Sequence, residues 1–198
     1  MPAACPRQPR RFSGYTFACA MTVEERAAKR LGRTARVGLG VSRGAPEGRL
    51  MSFGIAGALR PDLPVGTVID ATRVVDESGA VLWEGAPLGV RPARTGTLLG
   101  ADRIVDDPSE RTRLHEQTGA DAVDMESATL ARTGRLAGCI RAVSDTPTSR
   151  LAGLAQAVTL DGRPDYLGFL RGFAHEPRET VRAARNARRA LKALEAVA

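Results

Sequence analysis

Aromatic side chains are scarce in this chain: five Phe, two Tyr and one Trp among 198 residues. That scarcity excludes a ring-rich core and leaves Val, Leu, Ile and Ala to fill the interior. It is also a poor match to proteins that hold single-stranded nucleic acid by stacking bases on rings. Cysteine is rare too, and Cys5, Cys19 and Cys139 show no Cys-x-x-Cys spacing. With His115 and His175 as the only histidines, no metal cluster can be read from the spacing. Reduced thiols in a cytoplasmic protein are the expectation. No apolar run is long enough to span a bilayer, and residues 1–20 lack the sustained apolar segment of a signal peptide. Lysine is nearly missing: Lys29 and Lys192 are the only two, so arginine carries most of the positive charge behind the formal +7. Such a balance fits phosphorylated ligands, anionic lipid or nucleic acid, or simply an arginine-rich solvated surface.

What is present alternates strand and helix signals. Residues 1–12, rich in Pro and Arg, are expected to form a disordered basic tail ahead of a single domain over 13–198. Tyr15–Met21 reads as a buried strand and Thr22–Leu31 as a helix, with Glu25 completing a capping box from Thr22. Further strands are expected at Ala35–Val41, at Arg49–Ile55 running into a glycine turn at Gly54 and Gly57, and at Val65–Val75 with a hairpin return at Val81–Trp83. A loop over 84–94 precedes a strand at Thr95–Leu99. A helix at Asp107–Thr118 opens with an Asp-Pro cap. Then come a strand at Ala122–Met125, a helix at Ser127–Leu136 and a strand at Cys139–Val143. After a Pro/Ser/Thr-rich loop at 146–150, helices are expected over Tyr166–Phe173 and from Pro177 onward. In the last helix Val181, Ala184, Ala187, Leu191 and Leu194 form one face, and Arg182, Arg185, Arg189 and Lys192 the other. The pattern is that of an α/β fold with a central mixed sheet flanked by helices.

Chemistry concentrates between Gly119 and Pro147. There Glu126 and Asp145 stand at the ends of two expected strands, where small-molecule sites of α/β proteins usually lie. A carboxylate can accept from two neighbouring sugar hydroxyls, and a buried carboxyl that keeps its proton can act as a general acid. Each also has a plain structural alternative. Glu126 could be an acid favouring a helix N-terminus, and Asp145 a turn or capping residue ahead of Thr146 and Pro147.

The run Ala122-Val-Asp-Met-Glu-Ser127, followed by Ile140-Arg-Ala-Val-Ser-Asp145, resembles the signature of the purine nucleoside phosphorylase and methylthioadenosine/S-adenosylhomocysteine nucleosidase superfamily. Ser52–Leu59 with Pro64–Ile69 is similar to that family's glycine turn and next strand. Ala20–Glu25 is similar to its first strand end and acidic residue. Within the superfamily, Ser78-Gly79, Ala101–Val105 and the stretch from Asp161 to the C-terminal arginines resemble the hopanoid-associated phosphorylase subgroup. The resemblance implies a three-layer nucleoside phosphorylase-like fold and cleavage of the N-glycosidic bond of an adenine nucleoside. Adenosylhopane is the substrate the subgroup implies. 5′-Methylthioadenosine-type nucleosides, or a catalytically degraded basic binding protein, are the alternatives.

Carried over by position, the resemblance implies that Glu126 binds the ribose 2′- and 3′-hydroxyls and that Met125 packs on sugar or base. Asp145, supported by Ser144, would protonate the base at N7. Glu24 would position a water, and Gly54 and Gly57 would line the pocket. Arg43 and Arg141 are candidates to neutralise phosphate. No cofactor or metal is implied, with phosphate as a co-substrate if the reaction is phosphorolysis. The implied partners are a small-molecule nucleoside, lipid-linked in the subgroup reading, and further copies of the chain in a homo-oligomer; nucleic acid is not expected. The basic C-terminal helix could add peripheral membrane contact to a cytoplasmic protein. Two segments are shorter than the family pattern: one between Gly40 and Ser52, the other between Glu126 and Asp145.

Overall fold

The computed structural model describes residues 11–149, 151 and 157–197. Residues 1–10 of the expected tail lie outside them, as do Arg150 and 152–156. Phe12, the last residue of that expected tail, is buried and meets the Phe17 ring edge-on with centroids 5.4 Å apart.

Among the described residues eight strands form one mixed sheet: β1 (Tyr15–Cys19), β2 (Arg33–Arg36), β3 (Arg49–Ala58), β4 (Val68–Val75), β5 (Val81–Glu84), β6 (Arg94–Gly100), β7 (Ala122–Asp124) and β8 (Leu136–Asp145). Five α-helices accompany them among the described residues: α1 (Thr22–Ala28), α2 (Pro108–Thr118), α3 (Ser127–Arg132), α4 (Tyr166–His175) and α5 (Pro177–Glu195). The expected mixed α/β architecture is therefore what the chain adopts. β1 lies parallel between β2 and β3. β8 pairs parallel with β3 and antiparallel with β4, while β7 and β6 join the same two strands by the other route. Five strands thus close on themselves, which fixes β3 and β8 from both sides.

Alternation along the strands divides the core. Phe17, Cys19, Met51 and Phe53 face one way, toward Ala27 and Ala28 of α1 and Ala190 and Leu194 of α5. Ala18, Leu50 and Ala56 face the other way, toward Leu130 and Ala131 of α3. The buried stripe of α5 is Thr180, Ala183, Ala190 and Leu194, whereas Val181, expected inside, is exposed.

Element ends depart from the sequence reading for local reasons. β2 stops at Arg36 because Gly38 and Gly40 take positive φ (77° and 59°), which an extended strand cannot continue through. α3 ends at Arg132, four residues early, with Gly134 in the left-handed region at φ 69°. β8 then starts at Leu136 and runs to Asp145 itself. The expected capping box at Glu25 is one residue out of step. The helix begins after Met21, so the third helical position is Glu24, whose carboxylate accepts from Met21 N–H at 2.9 Å. Glu25 accepts from the Thr34 hydroxyl instead. The expected glycine turn is also corrected: Gly54 and Gly57 lie inside β3.

Candidate active site

The ends of β1, β3, β7 and β8, the first turn of α1 and the face of α5 surround a mostly apolar cavity of about 280 Å³. Glu24, Gly57, Met125, Glu126, Ser144 and Asp145 all line it. Residues as far apart in sequence as Glu24 and Asp145 therefore meet at one place.

Glu126 sits between β7 and α3 at the helix N-terminus, where its plain alternative placed it, but its side chain makes no capping bond there. Asp124 takes that role: its Oδ1 accepts from Glu126 N–H at 3.1 Å and Ser127 N–H at 2.8 Å, and its Oδ2 accepts from the Ser127 hydroxyl. The Glu126 side chain is thereby left to turn into the cavity. Its Oε1 accepts from Gly40 N–H at 2.9 Å, and its Oε2 lies 3.7 Å from Arg141 Nη2. The Gly38–Val41 turn that supplies this amide holds Val41 at φ 64°, a rare conformation for a β-branched residue. Burial, and secondarily the Asp124 charge, push the Glu126 carboxyl up to about 8, against the opposing pull of Arg141. Arg141 is buried, donating to Asp124 Oδ2 at 2.6 Å and to Ser52 Oγ at 2.7 Å.

Glu24 is 2% exposed. Its two oxygens accept from Met21 N–H at 2.9 Å and Ile55 N–H at 2.8 Å. Burial raises its pKa above the ordinary carboxylate value, with the Arg141 charge opposing. Gly54 is the reason it fits: a Cβ there would stand 2.4 Å from Glu24 Oε1. Gly54 thus underlies a wall residue and is not itself a wall.

Asp145, also 2% exposed, ends β8. Ser144 Oγ donates to its Oδ1 at 2.6 Å, and Arg111 Nη2 donates to its Oδ2 in a buried ion pair. Asp145 is not the turn residue of the plain alternative; Thr146 N–H bonds to Ser149 Oγ instead. Gly57 plays the part here that Gly54 plays for Glu24, since a Cβ would lie 2.9 Å from Asp145 Oδ2 and 3.2 Å from Arg111 Nη2.

Arg111 is the main residue that sequence reasoning missed. Its guanidinium is buried, anchored to Val105 O at 2.9 Å as well as to Asp145, and it lines the cavity. The only available signal was its spacing of three from Leu114, the other buried residue of α2. Ala187 and Leu191 of α5 also contribute to the wall. The two phosphate candidates do not. Arg43 pairs at 3.7 Å with Asp161, both substantially exposed, and Arg141 is spent on Asp124 and Ser52 behind the wall. Among the described residues no group of three or more His, Cys, Asp or Glu could hold a metal ion.

A family model described as "Phosphorylase superfamily" matches residues 81–194. No curated protein matches the sequence. Among solved structures, the 5′-methylthioadenosine/S-adenosyl homocysteine nucleosidase of Helicobacter pylori shares 16% identity, covering 91% of this chain and 95% of that one, with a TM-score of 0.54. The corresponding Campylobacter jejuni nucleosidase gives 18%, 92%, 98% and 0.53. Futalosine hydrolase of H. pylori gives 15%, 87%, 96% and 0.51. At these identities the likeness is one of fold.

Proposed function

The chain belongs to the phosphorylase superfamily, and from that premise we propose that it is a nucleoside-cleaving enzyme that hydrolyses the N-glycosidic bond of an adenine nucleoside. The observation that carries this reading is the convergence of Glu24, Glu126 and Asp145 on one cavity. In the proposed reaction the C1′–N9 bond breaks and its electron pair leaves with the base, which takes a proton at N7 from Asp145, a carboxylate paired with Arg111 in the free protein that takes up a solvent proton when the nucleoside binds. Ser144 and Arg111 hold the two oxygens of that carboxyl in place. Glu126 accepts from the ribose hydroxyls, and Met125 packs beside the sugar or base. Water adds to C1′ and gives its proton to Glu24, whose raised pKa suits a general base.

Water is favoured over phosphate by the way Glu24 is held. The amides of Met21 and Ile55, which could otherwise cradle an anion, are both taken by its carboxylate. A phosphate there would meet a buried acidic group, while the arginines of the wall are engaged elsewhere, Arg111 with Asp145 and Arg103 with Glu77 and Glu110.

The neighbouring structures' named 5′-methylthioadenosine and the adenosylhopane of the subgroup resemblance differ in the 5′ substituent. Val23, Leu39, Ile104, Val158 and Leu191 make an apolar wall suited to either. The cavity is at the low end of the ~300–1,000 Å³ usual for small-molecule sites. A short 5′ group fits within it, while a polycyclic lipid would run out past Ile104 and Val23, both partly exposed.

The test is adenine release from both nucleosides, with and without phosphate, and identification of the sugar product. Free sugar in both conditions is expected. A sugar 1-phosphate, formed only with phosphate present, would overturn the assignment of water; no adenine from either nucleoside would overturn the proposed substrate class.

A further inference from the structure

Helices α4 and α5 pack against each other and combine two surface properties that the reaction does not use. On α4, Leu167 is 68% exposed and Leu170 60%, with Phe173 also exposed. At 3.6 residues per turn the three fall within about 120° of the helix circumference, with Arg171 at the border. On α5, Arg178, Arg182, Arg185, Arg189 and Lys192 recur at steps of four, three, four and three, and all are exposed. Glu179, paired with Arg182 at 2.5 Å, offsets part of that charge. The same helix pair carries Val181, again exposed, and turns Ala187 and Leu191 into the cavity.

We propose that the α4–α5 face docks on an anionic phospholipid surface, Leu167, Leu170 and Phe173 entering the boundary between headgroups and acyl chains while the α5 arginines meet the headgroups. The charge decides the partner. A second copy of a chain of formal charge +7 would set one arginine stripe near another, which like-charge repulsion opposes. A nucleic-acid backbone would satisfy the arginines but offers no apolar phase for two exposed leucines. A lipid interface supplies both, in the manner of surface-lying amphipathic helices. No helix among the described residues is long and apolar enough to cross a membrane, so the contact is peripheral.

Sedimentation of the full chain with vesicles tests this. Binding to phosphatidylcholine vesicles containing phosphatidylglycerol is expected to exceed binding to phosphatidylcholine alone at least about tenfold, and to fall several-fold between about 0.1 and 0.5 M salt. A Leu167→Glu/Leu170→Glu variant removes the apolar contact, and an Arg185→Ala/Arg189→Ala variant thins the stripe without touching α4. Each is expected to lose about tenfold in anionic-vesicle binding, with adenine release from a soluble nucleoside unchanged. Equal binding to neutral and anionic vesicles, or arginine-pair binding at the level of the unaltered chain, overturns the proposal. So does a dimer, seen by analytical ultracentrifugation, that the leucine variant dissociates, because a second copy then covers the face. Vesicle binding is read without turnover, so its failure is distinct from failure of the proposed hydrolysis.

Discussion

Replacing Glu126 by Gln should make the protein more stable at neutral and mildly alkaline pH while removing its proposed hold on ribose. Glu126 is pushed up to about 8 in the fold, mainly by burial, against an ordinary value of 4.5. The sign follows from proton counting. Below about pH 4.5 both the folded and the unfolded carboxyl are protonated, and the group is neutral with respect to folding. Between 4.5 and 8 the unfolded chain has released its proton and the folded one retains it, so stability falls as pH rises. At about 1.4 kcal/mol per pH unit, that window is worth at most roughly 5 kcal/mol. Glutamine keeps the shape and can still accept from Gly40 N–H, but it does not titrate. The two proteins should therefore be of similar stability near pH 5, and Glu126→Gln should gain roughly 2–5 kcal/mol relative to the unaltered chain by about pH 8.5. Urea unfolding of both at the two pH values measures the difference directly. A stability difference that does not change with pH would refute the reasoning, because it would mean that the carboxyl titrates alike in both states.

Asp145→Asn keeps the size of the side chain and removes the proton proposed for N7, so turnover should fall about 10²–10⁴-fold with the fold retained. Adenine release, with circular dichroism as the control for folding, checks it, and turnover like that of the unaltered chain would remove Asp145 from the acid role. Arg111→Met leaves Asp145 without its buried cation, a kind of loss that typically costs about 3–5 kcal/mol. Denaturant unfolding should show that loss at neutral pH; a loss below about 1 kcal/mol would mean that the pair contributes as little as a surface ion pair does.

Much of the site was legible because strand alternation and the placement of Gly, Pro and Asp mark out the strand–helix–strand unit that carries Glu126 and Asp145. Both carboxylates were readable, each with a bland alternative that the sequence could not exclude. Only the fold showed that Asp124 caps α3 and that Thr146 turns on Ser149, leaving both acids for the cavity. Arg111 was hardly legible, because α2 is polar along nearly its whole length and only a spacing of three from Leu114 separates the buried Arg111 from the exposed Arg113. Glu24 and Glu25 posed the same problem at finer scale: shifting the helix start by one residue decides which carboxylate is buried. The role of Gly54 and Gly57 was hidden for a different reason. Glycine in a strand reads as a break, whereas here it admits a carboxylate from a neighbouring element.

The place of α5 in the wall has a consequence for how the protein comes into being. During synthesis, Glu24, Glu126 and Asp145 are all made before Ala187 and Leu191. A nascent chain can therefore assemble the charged part of the cavity while its flank still opens onto bulk water. Enclosure comes when the last helix described here settles onto β3 and β8. A chain whose synthesis stopped before α5 would thus carry the three carboxylates without the part of their wall that Ala187 and Leu191 supply.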